Sequence, residues 1–347
     1  MDIPHLAKKD LYERSGHWDK FKDELFRITT REGHIFALKP MNCPHHVQIF
    51  ARRAWSYRDL PQRYASTTKM YRDEQTGELA GLSRVRSITI DDAHVFCRES
   101  QMKDEMRAIW DIVHTFYAAC GFPTLGVRLS LHDPKQKQKY LGTPEHWKKA
   151  ETTLSSLVTE KKVHATEAIG EAAFYGPKID FLTKDSLGRE WQVATIQLDM
   201  NLPERFDLTC TNEAGKPERI VMIHAAIMGS LERFMSVLIE HYAGAFPLWL
   251  APVQVKILPV SEKFLNYGKE VYEKLRAEGI RAELDSANET LGKRIRESEL
   301  QKIPYVLVVG EKEMNAKTVN VRHYKRGAQG EVKIEELFKN LAKEVKK

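Results

Sequence analysis

The order of apolar and polar positions divides the chain into two parts. Up to about residue 245, short apolar or alternating runs predominate and predict strands over 34–40, 84–97, 126–131, 174–183, 190–200 and 218–226. Two longer runs carry apolar residues at helical spacing and predict helices over 101–121 and 229–244. Many successive strands with few helices predict an α+β fold built on an antiparallel sheet with packed helices.

After residue 253 the pattern alternates between strand and helix. It predicts strands over 253–260, 280–285, 304–310 and 318–324, and helices over 262–279, 290–302 and 334–347. This alternation predicts a small α/β unit with a mixed sheet. The stretch AGAFPLWLAP between the two parts is rich in proline and small residues, as linkers are. We therefore predict a domain over 1–246, a linker over 247–252 and a second domain over 253–347.

Composition is that of an ordinary globular chain of 347 residues, with 42% apolar and 29% charged residues. No run approaches the roughly 18 apolar residues of a membrane helix, and the start has no apolar core of a secretory signal. Four scattered cysteines do not form a disulfide framework, so we expect a cytoplasmic protein that binds no membrane.

Positive charge is concentrated in the second part. The net charge is +6, and from Val253 onward 20 Lys and Arg stand against 15 Asp and Glu, a net +5. This placement is typical of a module that binds a polyanion, although a solvated charged surface would give the same count.

Two segments carry candidate anion-binding arginines. In YRDEQTGELAGLSRVRSITIDDAH, a hairpin would bring Arg72 beside the returning strand, where a guanidinium can grip a phosphate. In GSLERF, Ser230 is a plausible helix N-cap, and Arg233 lies one turn into the helix, within reach of an anion at its N-terminus. A salt-bridged surface hairpin and an exposed helical arginine remain alternatives. The chain has neither a P-loop motif nor a dinucleotide-binding motif.

The stretch LKPMNCPHH sets a cysteine between two prolines, in what we interpret as a stiff turn. Cys43, His94 and His224 are each predicted at a strand end or in a tight turn. Three nitrogen and sulfur ligands with an open fourth position are typical of a catalytic or substrate-binding zinc site. The three residues are far apart in sequence, so buried structural histidines and a buried thiol remain the alternative.

Taken together, the motifs KPMNCP, YRDLP, GLSRVRSITIDDAHVFC, FYGPKIDF, WQVATIQLD, VMIHAAIMGSLERF and WLAPVQVKILPV resemble threonyl-tRNA synthetases, a family of class II aminoacyl-tRNA synthetases. The resemblance extends over essentially the whole chain. It implies a class II catalytic domain followed by an anticodon-binding domain. It further implies an enzyme that activates L-threonine with ATP and transfers it to tRNA(Thr). A catalytically silent tRNA-binding relative, or a serine- or proline-specific class II enzyme, is the alternative.

The resemblance also implies roles for individual residues. One zinc ion per chain would be held by Cys43, His94 and His224, and Mg²⁺ would accompany ATP. Matched positions imply catalytic roles for Arg72, Arg233, Lys178 and His17; threonine contacts for Met41, Asp92, Tyr175, Gln192, Thr195 and Gln197; ATP contacts for Arg72, Glu74, Arg84, Ser230 and Arg233; and anticodon contacts for Glu313 and Arg322. His46 matches a family position without being a ligand, and His45 is a local variation.

The chain departs from the family at Ile88, Ile90 and Ala225, where Phe, Gln and Arg are common, and this affects the expected nucleotide affinity. Pro4 matches a proline late in motif 1, so we expect the motif 1 helix and the N-terminal editing domain to be missing. The sequence then reads as a shortened chain or an unusual gene product. The family homodimer would be weakened, and serine would leak through the threonine pocket.

Overall fold

The computed structural model of the protein describes residues 1–185 and 187–345. Within them, the chain forms two compact units, Met1–Leu238 and Ile239–Lys347, with the last two residues of the second unit outside the described part. The predicted linker over 247–252 falls inside the second unit. The two units are described separately below.

The first unit combines helices and strands over its whole length. Its helices are α1 (Lys9–Ser15), α2 (His17–Lys20), α3 (Cys43–Ala51), α4 (Met102–Ala119), α5 (Pro144–Glu160), α6 (Asn201–Arg205) and α7 (Leu231–Tyr242), the last of which continues into the second unit. Its strands are β1 (Leu6–Lys8), β2 (Arg27–Thr29), β3 (Ile35–Leu38), β4 (Gln62–Tyr71), β5 (Ser87–Cys97), β6 (Gly126–Leu131), β7 (Ala165–Ile169), β8 (Lys178–Lys184), β9 (Glu190–Asp199), β10 (Thr209–Thr211), β11 (Pro217–Arg219) and β12 (Val221–Ala226).

A seven-stranded sheet in the order β4-β5-β12-β9-β8-β6-β7 forms the centre of this unit. Neighbouring strands are antiparallel except for the edge pair β6 and β7, which is parallel. The predicted α+β fold with an antiparallel sheet is therefore confirmed. A three-stranded sheet, β1-β3-β2, and the pair β10-β11 complete the unit.

Three local predictions about the candidate metal ligands are corrected by the structure. Cys43 is not in a stiff turn but is the first residue of α3, with Pro44 in the first helical turn, where proline is tolerated. His94 and His224 are not at strand ends but inside β5 and β12. The extended, β-branched sequences around both histidines continue pairing on either side of them, which keeps them within the sheet.

An aromatic stack packs α3 against the sheet. The Phe50 ring stacks on Trp55 at 5.0 Å and on Phe96 at 4.6 Å between ring centroids. All three side chains are buried, and aromatic pairs in such offset arrangements add to the free energy of burial. The stack packs the end of α3 against β5.

The second unit contains a five-stranded mixed sheet in the order β14-β13-β15-β16-β17. Its elements are β13 (Val255–Pro259), α8 (Leu265–Ala277), β14 (Ala282–Leu284), α9 (Leu291–Leu300), β15 (Tyr305–Val309), α10 (Glu311–Ala316), β16 (Thr318–His323), β17 (Gly327–Lys333) and α11 (Ile334–Val345). β13, β14 and β15 run parallel, whereas β16 and β17 are antiparallel additions, so the predicted mixed sheet is confirmed.

In the described ranges, no helix combines the length and the apolar character that crossing a bilayer requires.

Candidate active site

A cavity of about 310 Å³ lies on the central sheet of the first unit. Its floor comes from β4, β5, β9 and β12, and its rim comes from the start of α3 and from the segment that leads into α7. Twelve of the predicted site residues line it: Met41, Cys43, Arg72, Asp92, His94, Tyr175, Gln192, Thr195, Gln197, His224, Ser230 and Arg233. His17, Glu74, Arg84 and Lys178 are not among the lining residues.

Strand register brings the three candidate metal ligands together. His94 of β5 and His224 of β12 are direct cross-strand partners, and His94 Nε2 is 3.1 Å from His224 Nδ1. With Cys43 Sγ, the three ligand atoms lie within 4.8 Å of one another. Two nitrogens bound tetrahedrally at about 2.0 Å would be roughly 3.3 Å apart, so the histidine pair has suitable spacing for zinc.

Burial disfavours charge on Cys43 and His94, so a bound cation would have to displace the thiol proton, whereas the neutral imidazole can coordinate directly. Burial raises the pKa of the Cys43 thiol well above its ordinary value, and burial with the nearby His224 and His46 lowers the pKa of His94. Asp199 is fully buried, and its Oδ2 lies 2.9 Å from His224 Nε2. If His224 donates its Nε2 proton there, its Nδ1 lone pair faces the other ligands, as in metal sites supported by a carboxylate.

Asp92 faces the cavity from the same strand as His94. Asn42 donates from Nδ2 to Asp92 Oδ2 at 3.0 Å, while burial raises the pKa of Asp92 to about 6 against the opposing influence of His224 and Asn42. Tyr175 closes the opposite side. Its ring stacks on His224 at 4.7 Å, and its hydroxyl donates to Gln197 Oε1 at 2.7 Å.

Three further predicted residues converge on one buried carboxylate, that of Asp180. Lys178 Nζ donates to Asp180 Oδ2 at 2.6 Å, and Gln192 Nε2 donates to Asp180 Oδ1 at 2.7 Å. Thr195 Oγ1 donates to the same Oδ1 at 3.1 Å. Asp180 has no exposed surface, so it fixes these side chains from behind the cavity.

Positive charge is concentrated at the other end of the cavity. Burial, together with the charges of Arg72 and Arg84, lowers the pKa of Arg233. Arg233 is oriented by donating from Nε to the Ser83 carbonyl at 2.9 Å. Arg84 donates to Glu74 Oε2 at 2.8 Å. Arg84 is also paired with Glu78. The like charges of Arg72 and Arg233 oppose each other, and an anion such as a phosphate would relieve this repulsion.

The helix start beside these arginines follows the predicted pattern. Ser230 precedes α7, and its Oγ accepts a hydrogen bond from the Arg233 backbone N–H at 3.3 Å. In addition, the backbone of Ser230 forms a bridge with Ile90 of β5. The lining of the cavity therefore includes Ile90 and Ala225, two of the family departures, whereas Ile88 is buried.

His17 is placed against the candidate metal ligands. It has no exposed surface, and its Nε2 lies 3.8 Å from Cys43 Sγ. Its Nδ1 is 2.8 Å from Ser15 Oγ. Burial, with smaller contributions from His224, Arg205 and Arg72, lowers the pKa of His17 to about 3, so its ring is neutral.

The two predicted anticodon residues lie in the second unit. Glu313 is in α10 and accepts a hydrogen bond from the Gly310 N–H at 2.9 Å. Arg322 is in β16, and its guanidinium lies 3.3 Å from Glu299 Oε1, with about a third of its side chain exposed.

Sequence reasoning missed the residues that support the cavity from behind. Asp180 and Asp199 are buried carboxylates that contact predicted site residues, and Ser66 is a buried hydroxyl that contacts His46, a residue that the sequence matched to a family position but gave no role. Asp91 accepts hydrogen bonds from two backbone N–H groups of the segment before α7, those of residues 227 and 228. Alternation along β5 and β8 could have identified inward-facing acids, but their partners come from distant segments.

Family models match both parts of the chain. Residues 26–242 match the tRNA synthetase class II core domain (G, H, P, S and T), and residues 254–344 match an anticodon binding domain. Among curated proteins, the chain is 48% identical to a threonine–tRNA ligase of Flavobacterium johnsoniae and 49% identical to one of Porphyromonas gingivalis, with 99% of this chain aligned in each case. It spans 54% and 53% of the lengths of these relatives.

Solved structures give the same result. The RNA binding domain of threonyl-tRNA synthetase from Cryptosporidium parvum Iowa II superposes with a TM-score of 0.90 at 37% identity, covering 99% of this chain and 85% of that one. A putative threonyl-tRNA synthetase from Aeropyrum pernix has a TM-score of 0.83 at 28% identity, covering 100% of this chain and 83% of that one. A prolyl-tRNA synthetase of C. parvum, at 18% identity and a TM-score of 0.74, shares the fold.

Proposed function

Because the chain belongs to the threonyl-tRNA synthetase family of class II aminoacyl-tRNA synthetases, we propose that it is a threonine–tRNA ligase. It activates L-threonine with ATP to threonyl-adenylate and transfers the threonyl group to the 3′ end of tRNA(Thr). The observation that carries this proposal is one cavity holding a Cys/His/His ligand set at one end and an arginine cluster at the other. Such an arrangement suits an amino acid joined to a polyphosphate.

The ligand set supports recognition of threonine by its hydroxyl group. Cys43, His94 and His224 would hold one zinc ion, which supplies a Lewis-acid contact for the amino group and the hydroxyl of threonine. Asp92 borders the same space and accepts the hydroxyl proton in a hydrogen bond. A site that requires a hydroxyl rejects the near-isostere valine far better than shape alone can. This ligand set also argues against the serine- and proline-specific alternatives.

The remaining threonine contacts form the walls of the cavity. Met41 and Tyr175 flank the ligand set, and Gln197 is oriented by the Tyr175 hydroxyl. Gln192 and Thr195 are held by Asp180, so their positions are set before substrate enters. Preorganised polar groups of this kind contribute to catalysis because they need no reorganisation during the reaction.

ATP occupies the arginine end of the cavity, together with Mg²⁺. Arg72 holds the α-phosphate where the threonine carboxylate attacks, and Arg233 pairs with the γ-phosphate. Glu74 and Arg84 flank the nucleotide, and Ser230 contributes at the start of α7. Pyrophosphate leaves as the carboxylate oxygen bonds to phosphorus, so positioning and charge neutralisation supply the acceleration.

Two residues are proposed for the later steps near the reacting carboxylate. Lys178, paired with Asp180, adds positive charge close to the site of developing negative charge. His17 is neutral and lies against the amino-acid end of the cavity, and it relays a proton during transfer to the tRNA ribose.

The proposed domain division assigns activation to residues 1–246 and anticodon binding to residues 253–347, with a linker over 247–252. The family match over 254–344 and the net positive charge after Val253 support this assignment. Glu313 and Arg322 would contact unstacked anticodon bases, because acidic and guanidinium groups suit the Watson–Crick edges of such bases.

Threonine-dependent exchange of pyrophosphate into ATP tests the proposal. The wild-type chain should support exchange, and Arg72→Ala should reduce it by at least about 100-fold, since one lost charge-stabilising contact costs roughly 3–4 kcal/mol at such sites. Arg58→Ala, which alters an exposed arginine beside Tyr57, is the matched control and should retain full exchange. Absence of exchange in a folded wild-type chain would favour the silent tRNA-binding alternative.

A further inference from the structure

Two adjacent histidines of α3 are both buried but have different surroundings. His46 Nδ1 lies 2.7 Å from His94 Nδ1, and His46 Nε2 lies 3.1 Å from Ser66 Oγ. His45, in contrast, packs its ring against Tyr12, and neither of its ring nitrogens has a hydrogen-bond partner among the described residues. Only one of the two histidines is therefore connected to a candidate metal ligand.

The Met1 carbonyl oxygen, at the end of the hydrogen-bond chain from His94 through His46 and Ser66, determines the direction of each hydrogen bond in the chain. Ser66 Oγ lies 2.9 Å from the Met1 carbonyl oxygen, which can only accept, so the single hydroxyl proton of Ser66 is donated there. The Ser66 oxygen must then accept from His46 Nε2–H. A neutral imidazole carries one N–H, so His46 Nδ1 is an acceptor and receives the proton of His94 Nδ1–H.

This assignment determines which nitrogen of His94 can bind a metal. With the proton on Nδ1, the lone pair is on Nε2, which faces His224 Nδ1 at 3.1 Å. The opposite tautomer would point an N–H into the ligand set and prevent coordination. Asp199 selects the tautomer of His224 in the same way. Lone pairs from both histidines therefore converge beside Cys43 Sγ, an arrangement that a cation stabilises.

We propose that Ser66 and His46 form a relay that positions His94 as a metal ligand by fixing its tautomer and ring orientation. This inference rests on the proposed function, because it concerns the metal held by Cys43, His94 and His224. The ring N–H of a ligating histidine that faces away from the metal is usually accepted by a carboxylate, a backbone carbonyl or water. Here a neutral histidine takes that place, and its own orientation depends on Ser66.

The test measures Zn²⁺ affinity by competition with a chromophoric chelator. Wild type is compared with His46→Leu, His46→Asn, Ser66→Ala and the matched control His45→Leu. Loss of the hydrogen-bond partner of a ligating histidine typically weakens metal binding by about 10- to 100-fold, which is the expectation for His46→Leu. In His46→Asn, the carboxamide oxygen can replace Nδ1 as the acceptor, so affinity should stay within about 3-fold of wild type.

Ser66→Ala should weaken Zn²⁺ binding by an intermediate factor of about 3 to 10, because His46 then samples both tautomers. His45→Leu should leave the dissociation constant for Zn²⁺ unchanged, although it alters the same helix. The visible absorption of bound Co²⁺ provides a second readout, since it reports the geometry of the ligand set. His46→Leu should change this spectrum and His45→Leu should not.

Equal affinities for His46→Leu and wild type would overturn the relay, as would a loss in His45→Leu matching that in His46→Leu. If His46→Leu does not fold, Ser66→Ala becomes the deciding variant. An unchanged dissociation constant for Zn²⁺ in Ser66→Ala would then overturn the relay. The wild-type arm separates this failure from failure of the proposed metal site. Tight wild-type binding with unaffected relay variants rejects the relay alone, whereas weak wild-type binding rejects the ligand set and the relay together.

Discussion

At the scale of single residues, Asp180 is the buried group on which the proposed substrate contacts depend. Its two carboxylate oxygens accept hydrogen bonds from Lys178, Ser130, Gln192 and Thr195. Burying a carboxylate costs several kcal/mol unless it is paired and hydrogen-bonded, and here both conditions are met. We therefore expect Asp180 to position the residues that are proposed to contact substrate.

Asp180→Asn tests this role. In this variant, the amide NH₂ group would face at least one of the four donors that now bind the Asp180 carboxylate. The ion pair with Lys178 would also be lost. We expect kcat/KM for threonine in pyrophosphate exchange to fall by about 10- to 100-fold, corresponding to about 1.4–3 kcal/mol. Asp133→Asn, which alters a partly exposed carboxylate two residues after β6, is the control. Unchanged kcat/KM in a folded Asp180→Asn protein would show that Asp180 is not a positioning residue.

Part of this site could be predicted from the sequence. The resemblance assigned Cys43, His94 and His224, and their chemistry explained why those residue types suit a metal. Asp180 and Asp199 were not assigned, because a carboxylate in a strand gives no sequence signal of its donors. The donors to Asp180 lie on β6, β8 and β9, and His224, which contacts Asp199, lies on β12, so the contacts exist only once the sheet register is known.

At the scale of elements, Glu232 attaches the start of α7 to the sheet. Its carboxylate accepts hydrogen bonds from the backbone and hydroxyl of Thr89 and from Lys69 Nζ, at 2.9–3.0 Å. Burial alone would raise the pKa of Glu232, but the hydrogen bonds from Thr89 and Lys69 outweigh it and lower the pKa to about 2. The contact also fixes the neighbouring Ser230 and Arg233.

Glu232→Gln should therefore destabilise the first unit at neutral pH. The folded pKa lies below the unfolded value of about 4.3, so the carboxylate stabilises the fold above that pH by roughly 3 kcal/mol. This contribution is lost as the pH falls through 4 towards 2. Urea unfolding at several pH values should show a large difference between variant and wild type at pH 7 that shrinks towards pH 3.

Glu171→Gln, which alters an exposed carboxylate of the same unit, is the control for Glu232→Gln and should have no comparable effect. A Glu232→Gln difference from wild type that stays constant from pH 7 to pH 3 would contradict the assigned role of the charge.

Element predictions succeeded where one physical signal dominated. The predicted strand over 126–131 matches β6 residue for residue, since its apolar positions alternate and Gly126 begins it. β4 was missed because its inward positions include the weakly apolar Tyr64 and Ser66. α5 was missed although Thr143 caps it and Pro144 begins it, because threonines and serines dilute its apolar stripe.

At the scale of the whole molecule, the proposed activities belong to different parts of the chain. In the proposed function, amino-acid activation would require only the cavity of the first unit, because threonine and ATP would react there without tRNA. The proposed anticodon contacts lie in the second unit, and the residues from Val253 onward carry most of the excess of positive charge. Binding of tRNA should therefore weaken strongly with added salt, whereas threonine binding should not, because phosphate contacts release counterions.

Arg322→Ala tests this division of activities. Pyrophosphate exchange should remain at the wild-type rate, whereas aminoacylation of tRNA(Thr) should weaken by about 1–3 kcal/mol, the scale of one good bidentate base contact in duplex recognition. Arg296→Ala, an exposed arginine on α9 of the same unit, is the matched control and should have a smaller effect. Equal losses of exchange and aminoacylation in Arg322→Ala would contradict the assignment of the anticodon site.

The most direct test of the central claim, that a metal-assisted cavity recognises the threonine hydroxyl, is pyrophosphate exchange with threonine, serine and valine measured in parallel. Threonine should be activated best. Serine, which lacks only a methyl group worth roughly 1–3 kcal/mol, should be activated measurably. Valine lacks the hydroxyl and should be activated about 10⁴-fold less well than threonine. Valine activation at or above the serine rate would contradict the account, because the cavity would then select by shape rather than by the hydroxyl.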